Sequence, residues 1–95
     1  MVVLINTFDV HDAANVDAFL AIWKQVSAIM ERRPGFIHTR FHRALGGTRF
    51  VNVAEWESQE AFASSIAAPE FQEASRPLAG LATLSPALYD VVYEA

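Results

Sequence analysis

Segments in which apolar residues recur with the spacing of a strand alternate along the chain with segments that have the spacing of a helix. The stretch "VVLINTF" (2–8) is rich in β-branched residues and predicts a first strand. After the turn residues "HDAAN" (11–15), apolar residues recur with helical spacing over 16–30, which predicts a helix. The sequence "RRPG" (32–35) ends this helix, because proline and then glycine do not continue it.

A hairpin is predicted next. The stretches "FIHTRFHRA" (36–44) and "RFVNVAEWES" (49–58) carry strand-like alternation. Between them, Gly46 and Gly47 suit a two-residue primed turn, which needs positive φ angles. We therefore expect the second and third strands to pair across this turn.

The second half of the chain predicts the remaining elements. Ser58 is a suitable N-cap for a second helix, and Pro69 starts a short further helical segment. We expect a loop over 76–86 and a last strand over "ALYDVVYE" (87–94). The order β-α-β-β-α-β predicts an α+β, ferredoxin-like fold, with a four-stranded antiparallel sheet and helices on one face. Residues 1–95 are expected to form a single domain.

The register of the hairpin predicts which residues share a face of the sheet. The glycine turn places Phe41 opposite Asn52, and Ile37 opposite Trp56. Opposed residues project to the same face. That face is aromatic and carries an asparagine, so we expect it to lie under the helices.

A candidate binding site follows from this face. Asn6 on the first strand joins Asn52 and Trp56 there, so that two carboxamides and an indole N–H point inward. Five aromatic side chains are expected to enclose them and to contact a substrate: Phe19, Trp23, Phe41, Phe62 and Phe71. A single buried Asn or Trp is more often structural, but their convergence favours a small-molecule site.

The opposite face of the sheet is also apolar. Val3 and Ile5 alternate with the inward residues of the first strand, and Val51 and Val53 do so on the third. Such a face is poorly suited to contact with water. We therefore expect a homodimer in which two sheets pack face to face.

Composition excludes several classes of function. The chain has no cysteine, which leaves no thiolate metal site and no cysteine nucleophile. Its net charge of -4 argues against nucleic acid as a partner. No apolar run approaches the roughly 20 residues that a membrane span needs. The apolar residues 1–5 lack a basic flank, so we expect no secretory signal and a cytoplasmic protein.

Several of these stretches together resemble the antibiotic biosynthesis monooxygenase (ABM) domains, which are small dimeric α+β barrels of this topology. The similar segments are "PGF" (34–36), "HRALGGTRFVNVAEWES" (42–58), "EAF" (60–62) and "F-x-x-A-S-R-P" (71–77). The resemblance runs nearly from end to end. It implies a monooxygenase that acts on a small aromatic substrate.

One branch of this family comprises cofactor-independent monooxygenases that oxidise aromatic polyketides such as anthrones to quinones. Their cavities are lined by an Asn and a Trp four residues apart on the third strand, which Asn52 and Trp56 match. Arg76 falls at the position of a further Arg. The Tyr of that branch is replaced here by Phe62, a departure that removes one hydroxyl.

A second branch degrades heme, with an Asn on the first strand, the same Trp, and an iron-ligating His after the second helix. Asn6 and Trp56 match the first two. Ser75 stands at the position of the His, and a hydroxyl is a poor axial ligand. Heme is therefore disfavoured, and the resemblance implies no cofactor, with O2 as co-substrate.

In a cofactor-independent reaction, the electrons for O2 come from a deprotonated substrate. Asn52, Trp56 and Arg76 are the candidate catalytic donors to its developing oxyanion, and Asn6 is the candidate for positioning a water. Two alternatives stay open. One is a cyclase or isomerase of polyketide-like chains, and the other is a non-catalytic dimeric module that binds small molecules.

Overall fold

A computed structural model, which describes residues 1–95, shows a four-stranded antiparallel sheet in the order β2-β3-β1-β4. The strands are β1 (Val2–Val10), β2 (Phe36–Arg43), β3 (Arg49–Trp56) and β4 (Ala82–Tyr89). With the helices between them, this arrangement confirms the predicted α+β, ferredoxin-like fold.

The helices begin at turn, cap or proline residues of the sequence. The helix α1 (Val16–Met30) follows a short 3-10 turn, and α2 (Gln59–Ala67) follows Ser58, whose hydroxyl oxygen accepts the Ala61 N–H at 3.0 Å. Pro69 starts α3 (Pro69–Ser75), as predicted. None of the helices has the length and apolar character needed to span a lipid bilayer.

The register of β2 against β3 is the predicted one around Asn52, although the predicted turn is wrong. Phe41 lies opposite Asn52, but the Ala44 N–H donates to the carbonyl of Arg49 at 2.9 Å and closes a four-residue loop, 45–48. Of its two glycines only Gly47 has a positive φ, +81°, whereas a two-residue type I′ turn needs both. The predicted two-residue turn and the observed four-residue loop have the same midpoint, so the pairing of β2 with β3 is unchanged.

A β-bulge changes the pairing at the start of β2. Phe36, rather than the predicted Ile37, lies opposite Trp56, because the register shifts between Phe36 and His38. The Phe36 ring meets the Trp56 ring edge-on at 5.5 Å between centroids. Ile37 is 47% exposed, so its predicted place on the helix-covered face is wrong.

The predicted loop over 76–86 and last strand over 87–94 are also wrong. The structure has a short helix α4 (Leu78–Leu81), and β4 begins at Ala82 and ends at Tyr89. The misleading residue is Pro86, which lies within β4 opposite Asn6. β4 is an edge strand that pairs only with β1, and an edge strand tolerates a residue without an N–H.

The core lies between the helices and one face of the sheet, in two clusters of buried residues. The larger cluster consists of Phe8, Val10, Val16, Phe19, Val26, Phe50, Leu78 and Ala82. The smaller one consists of Leu4, Met30, Ala54 and Trp56. Between these clusters the inward face also carries polar residues, and these belong to the candidate site.

The chain turns from α1 into β2 at Gly35, where the backbone requires glycine. Its φ is +90°, which is unfavourable for residues with a Cβ, and a Cβ at this position would overlap the Cβ of Ala61 on α2. Gly47 has a similar φ but open space around it. Substitutions at the two glycines therefore distinguish the cost of backbone strain, which both share, from the cost of overlap with α2, which only Gly35 has.

Gly35→Ala should lower the free energy of unfolding by about 2–4 kcal/mol, since it combines backbone strain with overlap against α2. Gly47→Ala should lower it by about 1–2 kcal/mol, from backbone strain alone. Urea denaturation of both variants measures the difference. Equal losses in the two proteins would show that the contact with Ala61 contributes nothing.

Candidate active site

A cavity of about 640 Å³ lies between the helices and the sheet, and most of the residues that line it are hydrophobic. Its floor is formed by side chains of the central strands β1 and β3, with β2 and β4 beside them, and α1, α2 and α3 contribute the opposite wall. The volume falls within the roughly 300–1,000 Å³ of small-molecule sites. The cavity is therefore large enough for a fused aromatic ring system.

A row of directly opposed residues crosses the floor of the cavity. Asn52 on β3 lies opposite Asn6 on β1, which lies opposite Pro86 on β4. Cross-strand neighbours of this kind have Cβ atoms about 4.5–5.5 Å apart. The two carboxamides that were predicted to converge are thus adjacent, and both line the cavity.

Trp56 lies further along β3 on the same face and is 1% exposed. Its ring is held by edge-on contacts with Phe36 and Phe62, at centroid distances of 5.5 and 5.6 Å. Despite this burial, its Nε1–H has no hydrogen-bond partner. An unpaired buried polar group costs about 1–3 kcal/mol, so the indole N–H calls for an explanation.

A second buried polar atom is unpaired in the same cavity. The Oδ1 atom of Asn6 has no hydrogen-bond partner within the protein. Asn52 differs, because its Oδ1 accepts a hydrogen bond of 2.5 Å from the Thr39 hydroxyl. The protein thus leaves a buried donor, Trp56 Nε1, and a buried acceptor, Asn6 Oδ1, without a partner of its own.

Arg76 is the only charged residue that lines the cavity. It is exposed, directly after α3, and forms no part of the two ion pairs, Arg32–Glu70 and Arg49–Asp9. In the latter pair, the hydrogen bond that Arg49 Nε donates to Asp9 Oδ1 and the Coulombic attraction of Asp9 raise the pKa of Arg49. An uncompensated cation at the edge of an apolar cavity favours an anionic or electron-rich ligand.

The predicted aromatic residues divide into two groups. Trp23, Phe62 and Phe71 line the cavity, whereas Phe19 and Phe41 do not. Phe19 is fully buried in the larger core cluster. Phe41 stacks on Trp23 at 3.7 Å between centroids, so it packs behind a lining residue instead of facing the cavity.

Several lining residues were missed by sequence reasoning. Thr39 and Phe36 belong to β2, and Leu84, Pro86 and Leu88 belong to β4. The β4 residues were missed because that strand was placed too late in the chain. Thr39 had a detectable signal, since the predicted register already placed it on the inward face, near Asn52.

The donor set of the cavity does not fit an imidazole-ligated heme. No histidine lines the cavity, and His11, His38 and His42 are exposed on the surface. Ser75, which stands where the resemblance implies a histidine, lines the cavity and donates its hydroxyl to the carbonyl of Gln72 at 3.4 Å. No cluster of three or more His, Asp or Glu side chains is arranged to hold a metal ion.

Comparison with known proteins gives consistent similarities. The family model described as antibiotic biosynthesis monooxygenase matches residues 1–77. Deoxynogalonate monooxygenase of Streptomyces nogalater is 29% identical over 89 residues, which cover 93% of this chain and 74% of the relative.

Solved structures are similar as well. One is SnoaB, a cofactor-independent oxygenase from Streptomyces nogalater, with 28% identity, a TM-score of 0.91, and coverage of 98% of this chain and 94% of that chain. A monooxygenase from the gene ActVA-Orf6 of Streptomyces coelicolor, in complex with nanaomycin D, has the same fold. It shows 24% identity, a TM-score of 0.84, and coverage of 99% and 89%.

The unpaired acceptor predicts an unusual effect on stability. Asn6→Leu removes a buried oxygen that has no partner, so the free energy of unfolding should be unchanged or higher by up to about 1–3 kcal/mol. Ser65→Ala is the matched control. The buried Ser65 hydroxyl donates to the Ala61 carbonyl at 2.9 Å, and its loss should cost about 1 kcal/mol.

Thermal and urea unfolding of both variants measure this contrast. A destabilisation of Asn6→Leu as large as that of Ser65→Ala would identify Asn6 as a structural residue.

Proposed function

Since this chain belongs to the antibiotic biosynthesis monooxygenase family, we propose that it is a cofactor-independent monooxygenase of electron-rich aromatic molecules. The proposed substrates are anthrones or hydroquinones of the polyketide type, and the oxidant is O2. Support comes from the relative described as a cofactor-independent oxygenase and from the relative described as a deoxynogalonate monooxygenase. Within this chain, the single observation that carries the proposal is the unpaired donor and acceptor in the cavity.

The unpaired groups favour a substrate that carries both a ketone or phenolate oxygen and a hydroxyl, because one unpaired group is a donor and the other is an acceptor. The oxygen would accept from Trp56 Nε1 or from the Asn52 amide, both of which line the cavity. The hydroxyl would donate to Asn6 Oδ1. A dihydroxyanthrone whose hydroxyls flank the ketone carries both features on one rigid ring system. Its flat, apolar rings suit a cavity lined by Phe62 and Phe71.

The proposed reaction balances without an external reductant. Loss of a proton from the anthrone methylene gives an enolate, which donates electrons to O2, and a carbon–oxygen bond forms. Cleavage of the O–O bond then leaves a new carbonyl on the ring and releases the second oxygen atom as water. Overall, CH2 plus O2 gives C=O plus H2O, and the substrate supplies all the electrons.

The residues of the cavity have different roles in this proposed reaction. The N–H groups of Asn52 and Trp56 stabilise the enolate oxygen as its charge develops, and the Arg76 guanidinium adds a positive charge at the edge. The apolar lining limits access of water to the reactive intermediates. No carboxylate or histidine lines the cavity, so deprotonation depends on the acidity of the substrate itself, and the proton passes to a water molecule.

Turnover of a dihydroxyanthrone tests this function. Trp56→Phe removes one N–H donor, and Asn52→Asp replaces a donor with a carboxylate of the same shape. Each should lower kcat by roughly 10²–10³-fold, the usual effect of losing one such donor. Oxygen consumption is measured beside thermal stability, with Ala18→Glu on the exposed side of α1 as the control.

Folded Trp56→Phe and Asn52→Asp proteins that consume oxygen at the wild-type rate would refute these roles. Conversion of a polyketide-like substrate without oxygen uptake would indicate a cyclase or isomerase. Binding of the quinone without any turnover would indicate a non-catalytic module.

We also propose a homodimer. Val3, Ile5, Val51 and Val53 lie in the middle of the outer sheet face, which no helix of the chain covers. All four are only partly buried within one chain. Two such faces packed together would remove this apolar area from water.

Sedimentation equilibrium at micromolar concentration should show a dimer for the wild-type protein. Val53→Glu should dissociate it, because the new carboxylate would be buried in the interface beside Glu55. The control Ala18→Glu lies on the helical side and should remain dimeric. A wild-type monomer under these conditions would contradict the proposed interface.

A further inference from the structure

Thr39 makes the only side-chain hydrogen bond within the protein to an amide group of the cavity floor. It lies on β2 opposite Ala54, on the same face as Asn52, and it lines the cavity. Its Oγ1 donates to Asn52 Oδ1 at 2.5 Å, in a partly buried setting. The bond joins an edge strand to the central strand that carries the candidate oxyanion donors.

The orientation of the Asn52 carboxamide decides what a ligand meets. A carboxamide presents an acceptor on one side and a donor on the other, and a half-turn about its last side-chain bond exchanges them. An oxyanion needs the donor. Because the Thr39 hydroxyl occupies Oδ1, the NH2 group of Asn52 is left for the cavity.

The neighbouring carboxamide does not fix this orientation. Asn6 lies directly opposite Asn52, yet its Oδ1 accepts no hydrogen bond from any protein group, Asn52 included. Thr39 is thus the only side chain that hydrogen-bonds to the Asn52 amide, and its hydroxyl contacts the oxygen end. Without its hydroxyl, a half-turn of the amide would lose no hydrogen bond that the protein makes.

We propose that Thr39 is a positioning residue, whose hydroxyl bond to Asn52 Oδ1 holds the Asn52 N–H groups toward the cavity as donors for the substrate oxyanion. The inference rests on the proposed function for its catalytic consequence. Thr39 itself does not transfer a proton or contact the reacting atoms. It limits the amide to the orientation that the reaction uses, which is a form of preorganisation.

Nuclear magnetic resonance of the ligand-free protein tests the positioning directly. The side-chain amide signals of Asn52 are assigned by their loss in Asn52→Ala. In Thr39→Val, which keeps the shape and removes the hydroxyl, they should shift and show lower order. Thr39→Ser should restore the wild-type signals. Thr48→Val is the matched control, because it removes a threonine hydroxyl bond, to the Val10 carbonyl at 2.8 Å, outside the cavity.

Kinetics with the dihydroxyanthrone tests the consequence. Thr39→Val should lower kcat by roughly tenfold, the effect of one hydrogen bond, with little change in KM because the loss falls on the transition state. Thr39→Ser should recover most of the rate. In an Asn52→Ala background, Thr39→Val should cause no further loss, since it acts through Asn52.

Unchanged order of the Asn52 amide in a folded Thr39→Val protein would overturn the proposal. So would equal losses of kcat from Thr39→Val in the wild-type and Asn52→Ala backgrounds. If the wild-type protein consumes no oxygen with this substrate, the proposed function fails, and the amide signals still decide whether Thr39 positions Asn52.

Discussion

The antiparallel pairing of β1 with β3 in the centre of the sheet is the constraint on which the site depends. This register brings Asn6 and Asn52 side by side. It also brings Leu4 opposite Ala54, which packs the smaller core cluster around Trp56. A slip of one residue would turn all of these side chains to the outer face. The core and the polar floor of the cavity are therefore specified by the same set of backbone hydrogen bonds.

Unpaired polar groups around the cavity floor lower the stability of the protein. A Trp N–H and an Asn oxygen are buried with no partner inside the protein, although neighbouring polar groups such as Ser65 are satisfied. Functional sites commonly retain such groups, because a bound molecule completes them. The break between α2 and α3 at Pro69 fits the same picture, since two short helices with a change of direction, in place of one long helix, border the cavity.

The sequence was sufficient to predict the inward face around Asn52, because apolar alternation and the position of the glycine loop both specify the register. Three features were not predictable from such local patterns. A β-bulge at the start of β2 places Phe36, in place of Ile37, opposite Trp56, and the two aromatic rings pack together. Pro86 led to the wrong start for β4, because proline is tolerated within a strand only when that strand lies at an edge of the sheet. Phe41 was placed on the correct face, but its stacking on Trp23 removes it from the cavity.

We propose that the cavity oxidises an aromatic substrate with O2 and with electrons from that substrate alone. The most direct test is the oxidation of a dihydroxyanthrone under 18O2 by protein freed of flavin, heme and metal, followed by mass spectrometry of the quinone. We expect one 18O atom in each quinone, the other in water, and one O2 consumed per product without added reductant. Quinone oxygen derived from H2 18O instead of 18O2, or a strict requirement for a reductant, would contradict it.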